Sequence, residues 1–174
     1  MNSFLGVVLS FTVATLSIGT PPERLAWNAN LKIDWSQFTG MPSTTSLYAA
    51  TTSTGLSQSY ELDVHGFLNK AATTVTAHFY PEFSWYRPAD TTATLLNHER
   101  AHFDITEIHA IKLRKRISEY VFTSNSKDEI NQLYNEVEEE RKQLQLQFDS
   151  ETKHSRNNAQ EEKWHMAIKI MLEE

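Results

Sequence analysis

Hydrophobic and polar positions change their rhythm once along this chain, near residue 90. Before it they alternate. Tyr60, Leu62 and Val64 interleave with Glu61 and Asp63, and Val75, Ala77 and Phe79 with Thr74, Thr76 and His78. Period two predicts half-buried strands. The run from Leu25 to Phe38 is rich in apolar and aromatic residues and predicts a strand with a turn around Asn28 to Asn30. The Ser/Thr/Gly-rich stretches TGMPSTTS and TTSTGLSQS predict loops.

After Asp90 there is neither proline nor glycine, and the period lengthens. Leu95, Leu96, Ile105, Ile108, Ile111, Leu113 and Ile117 supply a helical stripe that runs to about Tyr120, with Asp90 or Thr91 as its cap. A break at TSNSKDE follows, where Ser126 and Glu129 suit a capping box. A second long helix then carries Ile130, Leu133, Tyr134, Val137, Leu144 and Phe148. Beyond SRNNAQ, a shorter amphipathic piece, EEKWHMAIKIML, ends the pattern. The expected fold is α+β: a small, mostly antiparallel sheet over residues 25–88, then a helical part over 90–174 with two long helices and a short C-terminal one.

Residues 4–19 are apolar or small and uncharged, shorter than a bilayer span of ~20 residues. They predict a signal peptide over residues 1–20 ahead of one domain at 21–174, with an uncleaved anchor as the alternative, and no membrane span after it. That places the chain outside the cytoplasm, secreted or periplasmic. The 174 residues carry a net charge of −6 and no cysteine. Acidity argues against a nucleic-acid partner, and the missing thiols leave histidine, carboxylate and water to hold any metal. The acidic run at Glu136 and Glu138 to Glu140 reads as a solvated face, and the basic run Lys112 to Arg116 as cations suited to a helix C-terminus.

One stretch carries chemistry. His98-Glu99-Arg100-Ala101-His102 is an H-E-x-x-H motif on the first predicted helix. Four residues turn a helix by ~400° and raise it by ~6 Å, so both imidazoles leave one face and can converge on zinc. Glu99 sits ~100° from His98, where it can take a proton from water acidified by the metal. Chance placement gives roughly 0.03 such matches per chain, so the motif outweighs incidental histidines. His109 is seven residues after His102 and too far along the axis to join them; it reads as structural or surface. Asp104 and Glu107 can orient His98 or His102 through a ring N–H. The third ligand must come from elsewhere. FDSETKHS, at the end of the second long helix, offers Asp149, Glu151 and His154. Wheel geometry centred on Phe148 favours Glu151, or His154 if the helix has ended, and turns Asp149 away.

The chain resembles a bacterial family of predicted secreted zinc-dependent proteases, long filed as a domain of unknown function and grouped with zincin-like peptidases. The resemblance rests on Ser84-Trp85, the motif His98 to Ile105 with Glu107, then Phe148-Asp149, Thr152 and His154, and later Trp164. It spans roughly residues 25–170. It implies a zincin-like metallopeptidase with His154 as third ligand and Asp149 as its orienting partner or replacement. The expected activity is hydrolysis of peptide bonds in a peptide or protein substrate, with Zn2+ as cofactor and Glu99 as general base. The substrate would pair as an added strand near residues 74–80, with Tyr80, Tyr86 or His78 as oxyanion helpers. The rival expectations are a non-catalytic, zinc-structured envelope domain and an amidase acting on cell-wall cross-links.

Overall fold

The computed structural model describes residues 23–173, so the expected leader lies outside the described residues. The architecture is the expected α+β. Strand β1 is Leu25–Ala26, β2 Ala50–Thr51, β3 Thr54–Leu62, β4 Leu68–Phe79 and β5 Trp85–Tyr86. Helix α1 is Ala93–Glu119, α2 Ser126–Thr152 and α3 Asn158–Glu173. The main sheet has the order β1-β4-β3 with antiparallel neighbours, and β2 pairs antiparallel with β5 in a separate two-stranded ribbon.

The sheet starts earlier than its alternation suggests. Thr54 to Ser59, read as loop from their Ser/Thr/Gly content, form most of β3, paired from Thr54↔Phe79 onwards. Leu56 on this strand is buried, so one apolar residue and a long partner strand override weak local propensity. Val64 falls in the hairpin turn and is 95% exposed. There Asp63 accepts from the backbone N–H of His65 and Phe67, and Gly66 takes φ +86° against the Ser124 carbonyl. The Leu25–Phe38 run gives only a two-residue strand. After a turn at Asn28 it ends in a 3₁₀ turn, Trp35–Gln37, capped by Asp34.

Val75, Ala77 and Phe79 point inward as the alternation requires. Over them lies α1 with Phe103, Ala110, Leu113 and Ile117, joined by Ile130, Leu133 and Val137 of α2 in one core. A second cluster, Ala101, Ile105, Phe148, Trp164 and Ile168, fills the seam where all three helices meet. Thus α1 is buried on two sides, and the arc carrying His98 and His102 is the one that opens between them.

Both helix starts differ from the expected caps. Thr92, not Asp90 or Thr91, caps α1 by accepting from the Leu95 N–H, because Pro88–Asp90 form a 3₁₀ turn. Asn125 precedes α2 without a side-chain cap. Ser126 instead accepts from the Leu68 N–H of β4, and Glu129 reaches back to the N–H and hydroxyl of Thr123. The acidic and basic runs are also not independent faces. Arg116 pairs with Glu140 at 2.7 Å and Glu136 at 3.5 Å, and Lys112 pairs with Glu140, so the two runs lace α1 to α2. Among the described residues no helix is long and apolar enough to cross a membrane.

Candidate metal centre

His98 and His102 leave α1 one turn apart, their rings edge to face with centroids 5.0 Å apart. Their Nε2 atoms meet the same oxygen, Oδ1 of Asp149, at 3.1 and 3.0 Å. Among the described residues this trio forms a group whose donor atoms all lie within 4.8 Å of one another, and it could hold a metal ion. The spacing suits one. A tetrahedral ion with bonds of ~2.0–2.1 Å keeps its ligand atoms about 3.3 Å apart, so each imidazole nitrogen needs to draw back from the Asp149 oxygen by only a few tenths of an ångström.

Asp149, expected to point away, is therefore the third donor on α2. The wheel argument assumed a single buried face, but the end of α2 has neighbours on two sides. Phe148 stacks on His98 and also meets Trp164 of α3. One step round, Asp149 faces α1, in line with Gln145, whose amide donates to the His102 carbonyl at 3.1 Å. Thr106 donates to that same carbonyl at 2.9 Å and touches Thr54 at 2.8 Å, which ties the motif helix to β3.

Glu151 is not a candidate ligand in this arrangement. It lies ~200° from Asp149 on the wheel, and its carboxylate accepts from the Trp164 indole at 2.9 Å and from Gln147. His154 stands beside the trio rather than in it. Helix α2 ends at Thr152, and Lys153, His154 and Ser155 all take positive φ, of 51°, 50° and 66°. Three successive left-handed residues without glycine are a strained run. It brings His154 Nδ1 to 3.5 Å from Asp149 Oδ1 and lays the ring against Tyr48, with centroids 4.6 Å apart.

Asp104 and Glu107 do not reach either imidazole partner position. Asp104 accepts from the Trp27 indole at 2.8 Å, and burial raises its pKa despite that bond. Glu107 pairs with Arg114. His109, as expected, is structural: buried, it donates from Nδ1 to the Ile105 carbonyl at 2.8 Å. The group that does hold an imidazole is one the sequence reading missed. Glu161 of α3, 3% exposed, accepts from His98 Nδ1 at 2.8 Å. A signal existed in the amphipathic pattern of α3, where Glu161 shares the buried stripe with Trp164 and Ile168.

The electrostatics favour a cation. Burial works against charging His98, but hydrogen bonds to Asp149 and Glu161 and the nearby charge of Glu99 push its pKa up to about 9. Burial would raise Asp149, yet the bonds from His102 and His98 hold it well below the usual carboxylate range. Glu161 is likewise held down to about 2, against its burial, by His165 and His98.

A cleft of about 850 Å³ opens onto His98, Glu99, His102 and Asp149, with residues 47–52 as its other wall. Arg87 straps that wall by donating to the carbonyls of Ser46 and Tyr48. Glu99 is buried at its floor, 4% exposed. The expected oxyanion helpers do not line this cleft. His78 bonds Ser57 at 2.8 Å, Tyr80 packs near His78 and Phe83, and Tyr86 stacks on Trp35. Of residues 74–80, His78 and Phe79 offer no free edge, because β3 pairs with them on one side and β1 on the other.

Residues 28–155 match the model of a family described as a bacterial protein of unknown function (DUF922), and the chain belongs to that family. No curated protein and no solved structure matches it.

Proposed function

We propose that this member of a bacterial family of unknown function is a secreted or periplasmic zinc-dependent metallopeptidase. One observation carries the reading. Two imidazole Nε2 atoms converge on a single Asp149 oxygen, and Glu99, between them in sequence, lines the same cleft. His98, His102 and Asp149 would hold the ion. Zinc bound there would supply Lewis acidity towards a carbonyl and an acidified water.

The remaining steps belong to the chain. Glu99 takes a proton from the attacking water and returns it to the leaving amine. His154, in the same cleft, offers a ring N–H to the charge that develops on the carbonyl oxygen. A peptide lies along residues 49–52, where β2 has a strand partner, β5, on one side only. Exposed Leu47 and Leu146 on the cleft walls suit apolar side chains of that peptide.

The test is metal content and proteolysis together. Purified chain should bind one zinc per molecule and cleave a fluorophore-labelled unfolded protein in a chelator-sensitive way. Folded protein that never takes up stoichiometric zinc overturns the reading. Folded, zinc-loaded protein that cleaves neither peptides nor cell-wall amides would make the site structural and the chain a binding domain.

A further inference from the structure

A carboxylate at 3% exposure is costly unless it is paired, and Glu161 spends its pairing on one atom. Its Oε1 meets His98 Nδ1 at 2.8 Å, while Oε2 has no hydrogen-bond partner among the described residues and lies 3.4 Å from His165 Nε2. Glu161 cannot itself join the donor trio, because it sits on the Nδ1 side of the ring and Asp149 on the Nε2 side. Phe148 covers the ring face, with planes 21° apart, so the imidazole is fixed against tilting as well.

We infer that Glu161 is a positioning residue of the metal site. It keeps the Nδ1–H of His98 turned to α3, and so leaves Nε2, which faces Asp149 and the cleft, as the nitrogen that gives up its proton when a metal binds. A ring nitrogen serves as a ligand only when unprotonated, and the hydrogen bond made by the other nitrogen decides which one that is. The inference rests on the metal site proposed above. Glu161 lies outside residues 28–155, the part of the chain that matches the family model. Helix α3 is thereby more than a lid on the second core cluster: Trp164 and Ile168 seat it, and Glu161 reaches past them to the site.

The experiment uses the full chain with Glu161→Ala, Glu161→Gln and His165→Ala. Zinc affinity is read by competition with a chromophoric chelator. Exchange of the His98 Nδ1–H proton is read by NMR in metal-free protein. Glu161→Ala should weaken zinc binding by ~10–100-fold, the range for groups that orient a ligand. Glu161→Gln keeps an acceptor oxygen but not the charge, so its loss should be smaller, and His165→Ala should change affinity little. Both Glu161 variants should release the Nδ1–H to faster exchange. Should Glu161→Ala fail to fold, the near-isosteric Glu161→Gln carries the test. Folded variants that bind zinc like the wild type overturn the inference. If the wild type binds no zinc, the peptidase reading falls, and proton exchange alone judges Glu161: a rate unchanged by Glu161→Gln overturns its role.

Discussion

The Phe148 ring lies nearly flat on the His98 imidazole, with centroids 4.5 Å apart, and meets His102 edge-on at 5.3 Å. One fully buried side chain therefore braces both motif histidines and also anchors the seam of three helices. Phe148→Ala should destabilise the fold by ~3–5 kcal/mol through the cavity it leaves. It should also weaken metal binding, because neither ring keeps its backing. Phe148→Leu should recover most of the stability and only part of the affinity. Denaturant melts of metal-free protein, set beside zinc titrations, separate the two effects.

Glu99→Gln removes the proposed base and leaves His98, His102 and Asp149 untouched. Turnover should fall by at least ~10²–10⁴-fold, the usual worth of a general base, with zinc stoichiometry unchanged. Loss of zinc along with activity would show that Glu99 shapes the site instead of serving its chemistry.

The roles of Asp149 and His154 are separable. Asp149→Ala should lower zinc affinity by more than the ~100-fold typical of an orienting group, since it takes away a donor. His154→Ala should keep the metal and lower turnover. The opposite pattern, with zinc lost from His154→Ala and kept by Asp149→Ala, would restore His154 as the third ligand.

Metal-free protein should have a stability profile that declines on both sides of a plateau. His98 is raised from 6.5 to about 9. The stability it contributes is fully present below pH 6.5 and is lost as pH rises through 9, on the order of 3 kcal/mol at 1.36 kcal/mol per pH unit. Asp149 and Glu161 are lowered, so their contribution is present above their ordinary values of 3.8 and 4.5 and disappears on further acidification. Melting temperatures should thus peak between about pH 4.5 and 6.5. Zinc should move the optimum upward, because it replaces the proton on His98. An apo profile that is flat from pH 6 to 9 would contradict this account of the His98 environment.

Trp27→Phe keeps an aromatic ring and deletes the indole N–H, leaving partly buried Asp104 without that bond. A loss of ~1–3 kcal/mol is expected, with zinc affinity unchanged. A change in affinity would return Asp104 to the neighbourhood of the site.

The helical half and the His98-Glu99-His102 constellation were readable because each depends on local spacing along one helix. The edges of the sheet were less so. Thr54 to Ser59 become a strand only through pairing with β4, a partner that local composition does not reveal. Asp149 was misjudged for a related reason. A wheel drawn for one helix does not show that α3 takes one side of Phe148 and α1 the other. Glu161 was hidden further still, since its significance appears only when α3 is folded back against residue 98.

The bond between His98 and Glu161 joins residues 63 positions apart, and that between His98 and Asp149 residues 51 apart. At ~5–20 residues per second, a ribosome needs roughly 3–13 s to add the longer interval. During that time the histidine pair has left the peptidyl-transferase centre without its carboxylate neighbours. Order of synthesis alone therefore delays assembly of the candidate metal site until residues 149 and 161 have been made, and a chain truncated before residue 149 would carry the motif yet lack the carboxylate that completes it.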